Sequence, residues 1–267
     1  MDKRMLIFDL DDTLLTSEKT ITPRSVQAIK CCKKRGMIIG YITGRARPMR
    51  GEVFYTEKYD LPKDFISYYN GAESYAGDVF IESNAIPYEN AMKIIKGLIK
   101  TYPNIRISVK QQPWSYLKRS GCPEGENWNI GTGEKVKCGV LELPRYDFQR
   151  IRIEFDQKDD RDKLDRLLTE DTISFINVDG SAMIIHKNAT KERALKKASE
   201  YFEIPLCDVI TFGDDINDIH MLKISGMGVA MGNAIDAVKE IADFVTETND
   251  NDGISAWINK YLLADGA

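Results

Sequence analysis

The stretch MLIFDLDDTL, residues 5–14, decides the fold of this 267-residue chain. It opens with an apolar run of four residues that ends at Asp9, and such a run is typical of a β-strand buried on both faces. Three carboxylates follow that strand directly, on Asp9, Asp11 and Asp12. Ligands of open parallel sheets bind at the carboxyl ends of the strands. The stretch therefore predicts a buried strand whose carboxyl end forms part of a ligand-binding site.

The residues after this stretch predict a helix and two further strands. Thr22 and Pro23 are typical of a helix N-cap and a first helical position. The helix is expected to reach about residue 34, where Gly36 suits the position after its end. Apolar runs then predict strands over 37–42, ending in Thr43-Gly44-Arg45, and over 65–69, ending in Asn70-Gly71.

The last third of the chain repeats this alternation. A strand predicted over 208–212 ends in the acidic stretch GDDIND, residues 213–218. Strands that alternate with helices predict a parallel sheet covered on both faces, which is a doubly wound α/β core. The other predicted elements of this part are helices over 191–202, 217–224, 234–241 and 255–263, and strands over 226–231 and 244–245.

The middle of the chain follows a different pattern. Its predicted strands alternate between apolar and polar residues, and two of them, 173–178 and 182–186, flank an Asp-Gly pair that is typical of a hairpin turn. This α+β pattern predicts a second domain over 83–186, inserted into a core of residues 1–82 and 187–267. Its other predicted elements are helices over 88–100 and 159–168 and strands over 105–110, 116–119 and 151–155.

Composition and charge exclude several classes of protein. Hydrophobic residues make up 43% of the chain and charged residues 29%, a globular composition that excludes disordered and fibrous proteins. The net charge of -4 provides no electrostatic footprint for nucleic acid or an anionic membrane. No apolar stretch approaches the ~20 residues of a membrane helix, and the first apolar run is too short for a signal peptide. These two observations predict a cytoplasmic location. Five cysteines, an odd number without a paired Cys-x-x-Cys pattern, predict reduced thiols.

Carboxylates gather at two of the predicted strand ends, three after the first strand and three within 213–218. If the two ends converge, their repulsion calls for a hard cation, and Mg²⁺ is the usual one held by one or two carboxylates and by water. An ionised aspartate at such a site can attack phosphorus and form an aspartyl-phosphate, while a second carboxyl group exchanges a proton with the leaving group. A hydroxyl group, a lysine and the metal would neutralise the phosphoryl oxygens.

Four motifs together resemble a known family. They are FDLDDTL at 8–14, ITGR at 42–45, Lys191 at the start of a predicted helix, and GDDIND at 213–218. In order and spacing they resemble the haloacid dehalogenase (HAD) superfamily of phosphatases, in the Cof-type branch of subclass IIB. The resemblance spans nearly the whole chain. It implies a doubly wound, three-layer, Rossmann-like core with an inserted α+β cap domain of the C2B type.

The resemblance also implies the catalytic and metal-binding residues. Asp9 is then the nucleophile, Asp11 is the general acid and base, and Lys191 holds the transferring phosphoryl group. Mg²⁺ is ligated by Asp9, by the backbone carbonyl of Asp11 and by Asp214. Asp218 supports the metal site from behind these ligands.

The same resemblance implies the substrate-binding residues. Thr43 and Gly44, together with Lys191, hold the phosphoryl group, and Asn217 reaches the phosphate or the groups around it. Arg45 is expected to contact substrate, because a cation beside a phosphate site strengthens anion binding.

Two positions depart from the family pattern. Asp12 stands where glycine is frequent, and since aspartate tolerates turn conformations, we expect the geometry to survive. Glu192 follows Lys191 where glycine is also frequent. Neither change removes a catalytic group.

These features predict a Mg²⁺-dependent phosphatase of small phosphorylated metabolites, such as sugar phosphates, nucleotides or cofactor phosphates, because a large cap restricts access. We expect a monomer or a weak homodimer. Two alternatives stay open, a phosphomutase of phosphorylated sugars and a catalytically silent regulatory protein on the same fold. A mutase needs clustered cap arginines, whereas Arg150, Arg152 and Arg161 are scattered, and a silent protein would have lost the catalytic residues.

Overall fold

The structure is a computed structural model that describes residues 4–48, 53–102, 105–111, 114–118, 127–129, 135–138, 143–155, 161–176 and 180–264. Its chain divides into two compact units. Unit 1 consists of Met1–Ser83 and Thr190–Ala267, and unit 2 is Asn84–Ala189.

The structure describes fifteen strands and eight α-helices, each numbered in chain order. The strands are β1 (Met5–Phe8), β2 (Ile38–Ile42), β3 (Phe65–Tyr68), β4 (Glu73–Ala76), β5 (Val79–Ser83), β6 (Arg106–Gln111), β7 (Trp114–Lys118), β8 (Asn127–Asn129), β9 (Lys135–Cys138), β10 (Arg150–Glu154), β11 (Thr172–Ile176), β12 (Ala182–His186), β13 (Val209–Gly213), β14 (Met227–Ala230) and β15 (Phe244–Val245). The helices are α1 (Pro23–Lys34), α2 (Tyr55–Lys58), α3 (Tyr88–Thr101), α4 (Arg161–Leu164), α5 (Lys191–Phe202), α6 (Ile219–Ile224), α7 (Asp236–Lys239) and α8 (Gly253–Tyr261).

Unit 1 is built on an eight-stranded sheet in the order β15-β14-β13-β1-β2-β3-β4-β5. The six strands from β15 to β3 are parallel, and every residue of β1 is fully buried. The chain progresses outward from β1 in both directions, so the strand order reverses between β1 and β13. α1 packs beside α8, and α5 beside α6. The predicted α/β class and doubly wound core are confirmed, and ligands of such sheets bind at the reversal point.

The hairpin formed by β4 and β5 was not predicted from the sequence. It continues the sheet from β3 in antiparallel fashion. β4 is buried although it carries polar residues, because Ser74 exchanges a hydrogen bond of 2.9 Å with Ser67. Polar side chains can be buried when they hydrogen-bond to one another, and the sequence then shows no alternation of apolar and polar residues. For this reason β4 was not predicted.

Unit 2 contains a seven-stranded sheet in the order β11-β12-β10-β6-β7-β9-β8. Among the described strands of this second sheet, only β7 and β9 pair in parallel, so the predicted α+β pattern is confirmed. β11 and β12 form the predicted antiparallel pair, although the Asp179 end of its turn lies outside the described residues. The buried face of α3 packs with apolar residues of β6, β10 and β12 in a core of its own.

Three helices are shorter than predicted. The expected helix over 159–168 is helical from Arg161 to Leu164 and then forms a tight 3₁₀ turn. A 3₁₀ turn at Ile216–Asp218 precedes α6, and α7 covers only the middle of its predicted range. Among the helices that the structure describes, none combines the length and the apolar character needed to cross a bilayer.

The start of α1 provides a test of local sequence signals. Thr22 Oγ1 accepts a hydrogen bond of 3.2 Å from the backbone N–H of Ser25, so the predicted N-cap is confirmed. Thr22→Ala is expected to lower the free energy of unfolding by about 1 kcal/mol, because it leaves a helix N–H without its partner. Urea denaturation checks this. Thr22→Ser, which keeps the hydroxyl group, is the control, and equal losses in both variants would contradict the capping role.

Candidate active site

The site begins where β1 and β13 end side by side. These strands pair in parallel with Phe8 opposite Phe212, and the backbone N–H of Asp9 donates to the Phe212 carbonyl at 3.0 Å. Asp9 therefore leaves the sheet next to Gly213, one residue before Asp214. The parallel register itself brings the two acidic strand ends together.

Three carboxylates meet at this point. Asp9, Asp214 and Asp218 each offer an oxygen within 4.8 Å of the others. Asp9 and Asp218 are buried, and Asp214 is partly buried. Carboxylate oxygens held this close are a ligand set for a hard divalent cation. The chemistry of the donors thus fits a metal ion.

Lys191 is the positive partner inside this cluster. Its Nζ lies 2.6 Å from Asp9 Oδ1 and 2.7 Å from Asp218 Oδ1, and its side chain is 1% exposed. It is the first residue of α5, whose N-cap Thr190 accepts from the backbone N–H of Arg193. The capped helix start fixes the backbone from which Lys191 reaches the carboxylates.

Asp218 uses both of its oxygens within the protein. Oδ1 accepts from Lys191, and Oδ2 accepts from the backbone N–H groups of Asp214 and Asp215 at 3.1 and 3.2 Å. The side chain thereby closes the loop after β13 around itself. Asp218 thereby fixes the positions of Lys191 and of the backbone that carries Asp214.

The environment shifts the ionisation of the cluster. Burial raises the pKa of Asp9 to about 8, against the opposing charge of Lys191. Burial also raises the pKa of Asp214 to about 7, although the hydroxyl group of Thr13 donates to it. Burial would lower the pKa of Lys191, but the charges of Asp218 and Asp9 outweigh it and raise that pKa. Three carboxylates facing one ammonium group leave an excess of negative charge that a bound cation would relieve.

Asp11 lies in a different environment from Asp9. Arg45 donates to both Asp11 oxygens, at 2.8 Å from Nε and 2.6 Å from Nη2, and Lys19 Nζ lies 3.2 Å from Oδ1. Burial would raise the pKa of Asp11, but Arg45 and Lys19 lower it below its ordinary value. The Arg45 guanidinium group also lies over the Tyr55 ring, 4.7 Å from its centroid.

The structure places the side chains of the four predicted metal residues in two environments, and the ligand expected from Asp11 is its backbone carbonyl. The side chains of Asp9, Asp214 and Asp218 converge, whereas that of Asp11 pairs with Arg45 and stands outside the cluster. Asp12 adopts a left-handed conformation with φ 58°, which aspartate tolerates.

Three of the predicted phosphate-binding residues follow β2 and β13, the two strands that flank β1. Thr43 follows β2 and is fully buried, with its backbone N–H bonded to Ser67 and its Oγ1 accepting from the Arg45 N–H. Gly44 is exposed beside it. Asn217 is exposed after β13, and its Nδ2 donates to Asn70 Oδ1 at 3.1 Å.

Three residues that touch this site were given no role from the sequence. Thr13 Oγ1 donates to Asp214 at 2.5 Å, Lys19 pairs with Asp11 and Asp12, and Asn70 accepts from Asn217. Two of them lie in stretches that the sequence singles out: Asn70 in the Asn-Gly pair that ends the third predicted strand, and Thr13 in the FDLDDTL motif, where it was given no role. Lys19 had no such signal, because it belongs to the segment after β1, which has no regular hydrophobic period.

Comparison with known proteins identifies the family to which this chain belongs. The profile of the haloacid dehalogenase-like hydrolases matches residues 6–258. The chain belongs to this family. The membership predicted from the four motifs is confirmed, and the chain is an enzyme of the hydrolase class.

Two curated relatives come from Bacillus subtilis (strain 168), and both are named 5-amino-6-(5-phospho-D-ribitylamino)uracil phosphatase. YcsE is 28% identical over 264 residues, which cover 98% of this chain and 97% of YcsE. YitU is 27% identical over 272 residues, which cover 97% of each chain.

Two solved structures share the fold over almost all of both chains. A hypothetical protein from Geobacillus kaustophilus HTA426 has a TM-score of 0.83 at 23% identity, covering 98% of this chain and 99% of its own. A HAD subclass IIB sugar phosphatase has a TM-score of 0.79 at 23% identity, covering 97% and 99%. At these identities the likeness shows the fold, and it confirms the predicted fold class.

Replacement of Lys191 tests the charge balance of the cluster. Lys191→Met preserves the side-chain volume but leaves Asp9 and Asp218 facing each other, so the free energy of unfolding is expected to fall by about 3 kcal/mol. Denaturant titration without added metal measures this. The double variant Lys191→Met/Asp218→Asn removes one of the two buried charges that have lost their partner and should recover part of the loss. A single variant as stable as the wild type would contradict the buried ion pairs.

Proposed function

We propose that this hydrolase is a Mg²⁺-dependent phosphatase of small phosphorylated metabolites that works through an aspartyl-phosphate on Asp9. The observation that carries the proposal is the buried contact of Asp9 with Lys191, beside Asp214, at the reversal point of a parallel sheet. A nucleophilic carboxylate, a fixed ammonium group and a carboxylate ligand set are what phosphoryl transfer to an aspartate requires.

In the proposed first step, an Asp9 carboxylate oxygen forms a bond to phosphorus while the bond from phosphorus to the leaving oxygen breaks. Lys191 lies 2.6 Å from Asp9 and can donate hydrogen bonds to a phosphoryl oxygen beside it. Its fixed charge counters the negative charge on the transferring group without reorganisation. Thr43 and Asn217, with the backbone of Gly44, supply further polar groups for the phosphoryl oxygens.

Asp11 is the proposed proton donor and acceptor. As an acid it gives a proton to the leaving oxygen, and as a base it takes one from the water that hydrolyses the aspartyl-phosphate. Its pairing with Arg45 and Lys19 favours the ionised form, which the second step needs. For the first step Arg45 must release one Asp11 oxygen, so substrate binding by Arg45 would free Asp11 to carry the proton.

Asp9 and Asp214 are the residues proposed to hold Mg²⁺, together with the backbone carbonyl of Asp11. Asp218 has both oxygens occupied by protein donors and acts by positioning the other ligands. When bound, the ion would supply positive charge to the phosphoryl oxygens. Burial raises the pKa values of Asp9 and Asp214. Binding of a cation would therefore be accompanied by the release of protons from these carboxyl groups.

The substrate class rests on two lines of support. The domain predicted over 83–186 is proposed to act as a cap that admits small molecules. Both curated relatives are named for 5-amino-6-(5-phospho-D-ribitylamino)uracil, a small phosphorylated molecule. We therefore propose small phosphorylated metabolites as substrates, with compounds of that kind first among them.

Replacement of the nucleophile tests the reaction. Asp9→Asn nearly preserves volume but removes the attacking carboxylate, so the rate of phosphate release is expected to fall at least about 1,000-fold. Asp12→Asn is the matched control, because asparagine tolerates the same left-handed turn and Asp12 pairs only with Lys19 among the described side chains. Asp9→Asn that retains wild-type rates would overturn the assignment.

Metal dependence is tested by binding as well as by activity. Saturating Mg²⁺ is expected to raise the Tm of the apo protein by about 5 °C, since the ion binds only the folded state. Asp214→Asn should abolish most of that shift, and a chelator should stop phosphate release. Full activity in the presence of chelator would rule out the proposed metal role.

A panel of phosphorylated metabolites tests the substrate class. It includes sugar phosphates, nucleotides, cofactor phosphates and 5-amino-6-(5-phospho-D-ribitylamino)uracil, with phosphate release as the readout. Release from at least one small metabolite, lost in Asp9→Asn, is expected. Isomerised product without phosphate release would favour a phosphomutase. No turnover by folded, metal-bound protein would favour a regulatory protein.

A further inference from the structure

Three consecutive residues at the end of β3 adopt backbone conformations that side chains disfavour. Tyr69, Asn70 and Gly71 have φ values of 53°, 58° and 111°. A single left-handed residue is uncommon outside glycine, and three in succession persist only where the surrounding structure holds them. We call Tyr69–Gly71 the left-handed turn.

The left-handed turn holds the loop that follows β2. The backbone N–H of Asn70 donates to the Thr43 carbonyl at 2.8 Å, and that of Tyr69 donates to the Arg45 carbonyl at 3.0 Å. The Asn70 side chain also lies against Gly44, where an added Cβ would stand 3.2 Å from Asn70 Oδ1. The loop that carries the proposed phosphate-binding residues is thus bonded to the turn on both sides of Gly44.

The same turn contacts two other segments of the site. Asn70 Oδ1 accepts from Asn217 Nδ2 at 3.1 Å, which ties it to the loop after β13. Gly71 lies against the start of α5, where an added Cβ would come 2.4 Å from the Thr190 carbonyl. Only glycine fits there, so the left-handed turn also sets how closely the helix that carries Lys191 approaches β3.

We propose that Asn70 is a positioning residue of the phosphoryl site, which orients the Asn217 amide so that an N–H of Nδ2 faces the phosphoryl oxygens. This inference rests on the proposed phosphatase function. An amide nitrogen has two hydrogens, and the bond to Asn70 uses one of them. The bond fixes which edge of the Asn217 amide is nitrogen and leaves the second hydrogen for substrate.

The position allows the side chain to be removed without disturbing the backbone. Glycine adopts φ 58° without steric strain, so the Asn70→Gly variant is expected to keep the fold. Its kcat/KM for p-nitrophenyl phosphate is expected to fall about 10- to 100-fold, as for a binding group displaced by a fraction of an ångström to an ångström. KM and the inhibition constant of inorganic phosphate should carry most of the change, because the group binds phosphate before and during reaction. Asp60→Gly, another left-handed position of unit 1, is the control and should behave as wild type.

A double-mutant cycle with Asn217→Ala separates positioning from general destabilisation. If Asn70 acts through Asn217, Asn70→Gly has little further effect on kcat/KM or phosphate affinity in the Asn217→Ala background. Equal fold-losses in both backgrounds would overturn the proposal, because they would show that Asn70 acts independently of Asn217. Unchanged kinetics in Asn70→Gly alone would overturn it as well.

A wild-type protein without phosphatase activity would be recognised by a different set of results. Wild-type protein that hydrolyses no phosphomonoester refutes the phosphatase assignment, and calorimetric titration with inorganic phosphate then serves as the readout of the same cycle. Phosphate affinity lowered by Asn70→Gly only when Asn217 is present would still support the positioning role. Absence of phosphate binding by the wild type would overturn it.

Discussion

One buried ammonium group holds the candidate site together. Lys191 Nζ contacts both Asp9 and Asp218, and all three side chains are almost wholly removed from solvent. Each charge alone would be costly to bury, so the arrangement is stable only as a set. Because the three residues come from the end of β1, the start of α5 and the turn after β13, this contact also joins the elements around the reversal point of the sheet.

The geometry that follows from this contact separates two aspartates that are neighbours in sequence. Asp9 stays hydrogen-bonded to the end of the sheet, where burial raises its pKa, while Asp11 emerges beside Arg45 and Lys19, which lower its pKa. Different environments let two carboxyl groups take different roles, but these two shifts are opposite to those that the two roles need. A bound cation would lower the pKa of the Asp9 nucleophile, and substrate binding by Arg45 would raise the pKa of the Asp11 acid. The proposed mechanism therefore depends on where the chain leaves β1 as much as on the residue types themselves.

Much of the fold was predictable because hydrophobic periodicity reports local burial. The buried run of β1 and the capped helix α1 matched their predictions, since each signal lies within a few residues. The hairpin of β4 and β5 escaped prediction because Ser74 is buried by a hydrogen bond to Ser67, a partner that only the folded sheet supplies. Local patterns fail where a residue of a neighbouring strand supplies the hydrogen bond that a buried polar side chain needs.

By itself, the sequence determined the α/β class and the placement of acidic residues at strand ends, because both follow from short-range periodicity and the rules of parallel sheets. The four motifs in order also determined the family. Only the tertiary structure decided that Asp11 faces Arg45 instead of the carboxylate cluster, and that Asn70 meets Asn217. Residues in loops have no period that fixes their direction, so their partners depend on how the packed strands and helices place the loops beside one another.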